Sequence, residues 1–339
     1  MLRLVGILVT VLFAIGAAVL TWPSFFRVER HYPVAQIVSF RGLVVLAFAG
    51  VLIVALLLAI ARPVRGFALS IALIATVAVI VGGVTMVSRG LGTDALPAKT
   101  ASSIRVMTWN TAGEATSAKT VAQIAVAMDA DIVTLPETTI NTGEQVALAM
   151  RALGHPMWAH HTEYGTDGWD ARSTTLLISP KLGDYAVIKS SQDGSSNTST
   201  VPSAVAMPTS GNGPIVVAAH AVAPRLNYMQ HWRDDLQWLA DQCADKNVIL
   251  AGDFNATLDH MGALGVDGGT LGRCHDTASE TGNGSVGTWA VDMPALLGAP
   301  IDHVMASSGW KATGSLVLRS LADSTSDHRP LIVQLEPAG

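Results

Sequence analysis

The chain has 339 residues, half of them hydrophobic and only 14% charged, with a formal net charge of −5. Such a composition excludes a disordered chain, which is poor in apolar residues and rich in charge, and two cysteines exclude a small disulfide-stapled scaffold. Residues 1–100 hold eight Lys and Arg against two Asp and Glu, while residues 101–339 hold 13 against 24; a region at −11 is not a general binder of duplex nucleic acid, which calls for a basic face.

Residues 4–26, 42–61 and 66–88 contain no Asp, Glu, Lys, Arg or His. Each is about as long as a helix that crosses a hydrocarbon core. We expect three transmembrane helices and a membrane anchor over residues 1–88. A cleaved signal peptide competes for the first stretch, because Arg3 precedes it. No small-x-small cleavage site follows, and two further spans do, so an uncleaved helix is expected. Arg3, Arg62 and Arg65 favour a cytoplasmic N-terminus, whereas Arg27, Arg30 and Arg41 argue the reverse. Three spans put the two ends of the chain on opposite sides. Cys243 and Cys274 fit either two unrelated thiols or one disulfide in an oxidising compartment. The second option favours an extracytoplasmic position for the acidic region, and a cell-membrane, multi-pass protein is the expectation.

Residues 89–103 read as a linker, and 104–339 as the catalytic region. Strands are expected at 104–109, 131–135, 174–179, 185–188, 203–207, 214–219, 248–251, 301–306 and 331–335. Helical spacing covers 120–128, 143–153 and 229–244. The polar stretch 190–202 reads as a loop. Many strands with few helices imply an α+β fold: two packed, mostly antiparallel β-sheets flanked by helices.

The polar residues collect at the strand ends. In VILAGDFNAT (248–257) an apolar run stops at Gly252, and Asp253 and Asn255 then point the same way. Gly252 permits close approach of a backbone or a ligand. Asn110 follows RVMTW, Glu137 follows DIVTLP, His220 follows IVVAA, and Asp302 and His303 follow API. SDHRP, with Asp327 and His328, precedes the last strand. One such end is a turn; six form a constellation, since packed strands bring their ends to one rim.

The pieces TWN, LPET, AAHAVAP, GDFNAT, IDHV and SDHRP, in this order over about residues 104–336, resemble the endonuclease/exonuclease/phosphatase family of DNase I-like metal-dependent phosphohydrolases. The family includes nucleases, inositol polyphosphate 5-phosphatases and bacterial sphingomyelinases. The resemblance implies a four-layer sandwich and hydrolysis of a phosphoester, and it leaves the three apolar spans unaccounted for.

Phosphodiester hydrolysis needs charge neutralisation on phosphoryl oxygens and an activated water. Mg²⁺ or Mn²⁺ supplies the first and prefers carboxylate oxygens. Glu137 is the first-choice ligand, with Asn110 holding that site and Asp327 as a further ligand. Histidines titrate near neutrality, so His220 and His328 suit base and acid roles without the sequence saying which takes which. The resemblance implies that His328 faces the scissile phosphate, oriented by Asp302. It also implies that Asp253 orients or deprotonates water and that Asn255 hydrogen-bonds developing charge. Some nucleases of the family carry Asp where this chain has Ala112, which favours one metal ion. Arg172, Arg225 and Tyr164 are candidates for substrate contact, though lone arginines also suit surface ion pairs. Trp158, Trp169 and Trp289 suit either packing or an aromatic rim.

These readings converge on a membrane-anchored, metal-dependent phosphodiesterase acting on a small or lipid-linked phosphodiester, with duplex nucleic acid disfavoured. A nuclease is the rival enzyme. A catalytically inactive scaffold on the same fold is the rival from another class, and the intact residue set argues against it.

Overall fold

The computed structural model describes residues 2–93, 95–165, 169–188, 196–319, 321 and 324–338. Three long apolar helices come first: α1 (Leu2–Thr21), α3 (Arg41–Leu58) and α4 (Arg65–Arg89), with the short α2 (Val34–Ser39) between the first two. The three are long and apolar enough to cross a membrane. Their outer faces leave side chains such as Leu4, Leu57, Leu73 and Val84 exposed at 62% or more, a surface that water would not tolerate and hydrocarbon would. The first helix ends at Thr21, short of residue 26, because Pro23 opens a separate 3₁₀ turn.

Two six-stranded sheets follow. In chain order the strands are β1 (Ile104–Thr108), β2 (Ile132–Pro136), β3 (Trp158–Glu163), β4 (Ser173–Ile178), β5 (Tyr185–Val187), β6 (Ala204–Pro208), β7 (Ile215–His220), β8 (Val248–Asp253), β9 (His275–Asp276), β10 (Asp302–Ala306), β11 (Trp310–Val317) and β12 (Leu331–Pro337). The first sheet runs β11-β12-β1-β2-β4-β3 and the second β5-β6-β7-β8-β10-β9. Each is antiparallel except at its centre, where β1–β2 and β7–β8 are parallel.

Central strands are apolar on both faces because both faces are covered. Val106, Ile132, Val216 and Ile249 point between the sheets. Their neighbours Met107 and Val133 face α5 (Ala118–Ala127) and α6 (Ile140–Ala152). Val217 and Leu250 face α7 (Met229–Gln242) on the other side. Trp232, Leu236 and Leu239, three and four residues apart, are the buried stripe of α7. Ser117 and Thr139 start α5 and α6 by accepting the Thr120 and Thr142 N–H groups. The result is helix, sheet, sheet, helix. A side chain on Gly252 would fall on the Ala219 carbonyl in the adjacent strand, so the close approach this glycine permits is that of backbone.

Three strands beyond the expected set are present, among them the two-residue β9. β3 (WAHHTE) is an edge strand without one fully buried side chain, and β11 alternates exposed and covered residues around a bulge between Ala312 and Gly314. Cys243 and Cys274 are joined as a disulfide with a Cα–Cα distance of 5.5 Å.

The helical hairpin and the sandwich are tightly docked. Arg41 at the start of α3 and Arg89 at the end of α4 both grip Asp259, on the short helix α8 (Leu258–Met261), at 2.7 Å. Burial alone would raise the Asp259 carboxyl, but the Arg89 and Arg41 guanidiniums hold it well below the usual carboxylate range. The next residue, His260, bonds to the Ala35 carbonyl at 3.0 Å, and Ser285 donates to the Met86 carbonyl. Asp259→Ala would leave one buried and one half-buried guanidinium without a counter-ion. We expect it to destabilise the full-length chain by about 3–5 kcal/mol, read as a lower melting temperature in detergent. The depressed carboxyl stabilises the fold fully above the ordinary carboxylate range and loses that contribution only as pH falls through it. The wild-type advantage over the variant should therefore shrink below about pH 4.

Candidate active site

The two parallel pairs decide where the polar residues meet. Parallel neighbours end on the same side, so β1 delivers Asn110 beside the Glu137 that β2 delivers, and β7 delivers His220 opposite Asp253 of β8. Antiparallel partners begin where these strands end. Asp302 opens β10 directly across from Asp253, and His328 lies just before β12, which pairs with β1. All of these side chains except that of Glu137 are buried.

Asn110 is the junction of the two sheets. Its Nδ2 donates to Glu137 Oε1 and to Asp253 Oδ2, both at 3.1 Å, and its Oδ1 accepts the Ala112 N–H. Glu137 and Asn255 both have left-handed backbone, with φ of 55° and 47°, a conformation that non-glycine residues adopt at some cost. Asn255 donates its N–H to Asp253 Oδ1 at 2.8 Å and its amide to the Ala221 carbonyl at 2.9 Å. Asp253 is thereby fixed from three directions.

Two acids face each other across β8 and β10, an arrangement that repels unless something lies between them. His328 lies between them. Its Nδ1 is 2.8 Å from Asp302 Oδ2, and its Nε2 is 3.8 Å from Asp253 Oδ2 and 4.0 Å from Asp327 Oδ1. Burial lowers the affinity of His328 for a proton, but Asp302, then Asp253 and Asp327, outweigh it and push the imidazole up to about 10. Asp253 moves the other way from a normal carboxylate, up to about 7, through burial and the nearby Asp302. His220 is pushed down to about 3 by burial and by His328, and its Nδ1 has no hydrogen-bond partner among the described residues. Its Nε2 is 3.9 Å from Glu137 Oε1. The loop that carries His328 is anchored to β1: Trp109 Nε1 donates to the His328 carbonyl, and Ser326 Oγ to that of Asn110.

These groups open into a cleft of ≈ 390 Å³. Glu137, Asp253, Asn255 and His328 line it, with Asp327 and Arg225. Asp327 is exposed and accepts a hydrogen bond from Trp289 Nε1 at 2.8 Å. Arg172 and Tyr164 are not among the lining residues. The Arg172 guanidinium stacks over Trp169, and the buried Tyr164 hydroxyl bonds to the Thr198 carbonyl.

The far wall of the cleft is the part that sequence reasoning did not reach. It consists of Gln36, Ser39 and Phe40, from α2 and the start of α3. The Phe40 ring lies 5.7 Å from that of Trp289, and Gln36 Nε2 bonds to the Pro224 carbonyl. The available signal was polar Gln36 and Ser39 within an apolar segment next to Arg41.

Asp253, Asp302 and His328 each offer a ligand atom within 4.8 Å of one another, a group able to hold a metal ion. His328 Nδ1 is already bonded to Asp302, so Nε2 is the ring nitrogen left for an ion. Glu137 adds a further carboxylate at the rim, and Asn110 presents Nδ2 to it and so positions that carboxylate.

The family model described as "Endonuclease/Exonuclease/phosphatase family" matches residues 107–328. Among solved structures, the endonuclease/exonuclease/phosphatase of Beutenbergia cavernae DSM 12333 aligns over 70% of this chain and 72% of its own, at 18% identity and a TM-score of 0.52. A functionally unknown conserved protein of Enterococcus faecalis V583 aligns over 69% and 100%, at 14% identity and 0.51. D. rerio TDP2 complexed with single strand DNA product aligns over 69% and 99%, at 16% identity and 0.50. Identities this low show a shared fold. No functionally curated protein matches the chain. The match begins in β1 and ends at His328, so it takes in every strand end that contributes to the cleft: the chain belongs to the endonuclease/exonuclease/phosphatase family.

Proposed function

We propose that this chain is a membrane-anchored, divalent-metal-dependent phosphodiesterase acting on a small or lipid-linked phosphodiester. The observation that carries the reading is the composition of the cleft. One wall holds Glu137, Asp253, Asn255 and His328, and the other holds Gln36, Ser39 and Phe40 from between two apolar helices. A substrate in the cleft touches both.

Oxygen donors suit a hard cation, and Glu137 and Asp327 would hold one Mg²⁺ or Mn²⁺ ion, with Asn110 positioning Glu137. When bound, the ion neutralises charge on the phosphoryl oxygens. Asp253 takes a proton from water, and the water oxygen bonds to phosphorus. The phosphorus–oxygen bond to the leaving alcohol breaks, and a proton is delivered to that oxygen, giving a monoester and an alcohol. His328 carries the proton best suited to this donation, with Asp302 orienting its ring. His220, held neutral, donates a hydrogen bond without charge. Asn255 braces the Asp253 carboxylate.

The arginines divide between the two ends of the helices and do not decide topology. Arg27, Arg30, Arg41 and Arg89 lie on the side of the sandwich, Arg41 and Arg89 bound to Asp259 and Arg30 to Glu29. Arg3, Arg62 and Arg65 belong to the opposite ends of the helices and are exposed. The disulfide is what supports a cytoplasmic N-terminus and a catalytic region outside, since Cys243–Cys274 persists in an oxidising compartment.

The direct test is a panel of plasmid DNA, a chromogenic phosphodiester and phospholipid vesicles, offered to the full chain with and without Mg²⁺ or Mn²⁺. We expect metal-dependent turnover of the latter two and weak or no nicking of plasmid. Efficient nicking with no other activity would show a nuclease instead. Glu137→Ala and His328→Ala should each lower turnover by at least about a hundredfold. Excess metal should partly restore the first and not the second.

The pH dependence carries a sign. Activity requires Asp253 without a proton and His328 with one. The rate should therefore rise as Asp253 loses its proton, with a midpoint near 7, and fall as His328 loses its own, near 10. A bound cation shifts both midpoints to lower pH, since it disfavours protons nearby. The alkaline fall should vanish in His328→Gln, measured as kcat/KM against pH; its survival in that variant would assign the acid to another residue.

A further inference from the structure

The cleft does not end at Phe40. Gln36 and Phe40 also line a second cavity, a groove of ≈ 550 Å³ running along α3 beside Leu20 of α1. Its remaining lining is apolar, from Ile37 through Val44 and Phe48 to Val51. Leu43 to Val51 corresponds to roughly 12 Å of helix rise. The groove therefore starts at the catalytic cleft and descends along the apolar hairpin, within the thickness that the three helices would span.

A hydrocarbon chain suits such a channel, since it adds no polar group that would need a partner at depth. Polar residues are found at the upper end alone: Gln36 is tied to the Pro224 carbonyl and to Met229 Sδ at 3.4 Å. Phe40, packed against Trp289, stands where groove and cleft join. The hairpin has a second apolar groove of similar size, ≈ 560 Å³, between α1 and α4, lined by Ala18, Phe25 and Val77 among others. That one shares no residue with the catalytic cleft, so groove size alone does not distinguish the first. Its continuity with the site does.

We infer that the groove beside Ile37, Val44 and Val51 holds the hydrocarbon chain of the substrate, so that a lipid phosphodiester enters sideways from the bilayer past Phe40 and is hydrolysed while its tail remains in the membrane. The inference rests on the phosphodiesterase reading and narrows it to a lipid substrate. The tail is the acyl chain of a diacyl phospholipid, the chain that a bilayer around the three helices presents to the groove.

The test uses the full-length chain in proteoliposomes. Three substrates are compared: a diacyl phospholipid, a polyprenyl-linked phosphodiester and a short chromogenic phosphodiester without a tail. Ala47→Trp fills the groove from α3, and Val77→Trp fills the unconnected one. Ala47→Trp should lower the rate on the diacyl phospholipid, relative to the chromogenic ester, by at least about tenfold. Val77→Trp should leave that ratio unchanged. A loss confined to the polyprenyl-linked substrate would overturn the assignment of the tail to a phospholipid. In parallel, a phospholipid and a polyprenyl phosphodiester bearing a photoreactive group in the tail should label α3 in the wild-type chain in preference to α4, and an excess of the unlabelled lipid substrate should suppress the labelling. This readout needs no variant to fold.

Equal loss on lipid and tail-less substrates, or labelling divided evenly between the two grooves, would overturn the tail assignment while leaving the phosphodiesterase reading intact. A wild-type chain inert on all three substrates with metal present would overturn the phosphodiesterase reading, and the tail assignment with it.

Discussion

The structure depends on one topological constraint repeated twice: a parallel pair at the centre of an otherwise antiparallel sheet. Parallel strands end together, and antiparallel neighbours begin where those strands end. With the two sheets face to face, Asn110, Glu137, His220, Asp253, Asp302 and His328 come from six separate places in the sequence and meet at one rim. Asn110 spans the remaining gap by donating to Glu137 of its own sheet and Asp253 of the other. A site built on strand ends inherits the rigidity of the core beneath them, here Val106, Ile132, Val216 and Ile249.

Electrostatics then sorts the ionisable groups. Cross-strand pairing forces Asp253 and Asp302 together, and His328 resolves the conflict by holding a proton between them. The same proximity that secures the proton on His328 disfavours one on His220 and loosens the hold of Asp253 on its negative charge. Two histidines indistinguishable in sequence thereby acquire opposite character. A second buried charge cluster, Arg41–Asp259–Arg89, solves the complementary problem with one acid between two bases.

Much of this was legible in the sequence. The strands that form the core have strong signals, because burial on both faces leaves uninterrupted apolar runs, as in VILA before Asp253. The residues of the rim are polar immediately after such runs, and that contrast is visible without a structure. The edge strands are not visible in the same way. β3 buries no side chain completely, and β11 is interrupted by a bulge, so neither shows a clean period of two. The cleft wall was hidden for another reason. Gln36, Ser39 and Phe40 lie about 100 residues or more from the rest of the cleft, in a segment whose composition speaks only of the membrane. Nothing in local periodicity tells how a helical hairpin docks on a sandwich. That is decided by tertiary contacts such as Arg41 with Asp259 and Ala35 with His260.

That docking bears on how an acidic region would work at a membrane under the proposed function. Residues 101–339 carry 24 acidic against 13 basic side chains, and an anionic lipid surface repels such a region over about one Debye length. A flexible tether would let the region drift out to where repulsion weakens, and the cleft would face the lipid only in passing. The structure has no such freedom at the junction. Arg41 and Arg89 are the first residue of α3 and the last of α4, and both are fixed to the same carboxylate. The Met86 and Arg89 carbonyls accept further hydrogen bonds from Ser285 and Gly284. The apolar hairpin thus sets orientation as well as distance, and it supplies one wall of the cleft. Under the proposed function the hairpin is part of the active site, and the acidic surface elsewhere would exclude long polyanions that would otherwise compete for the same rim.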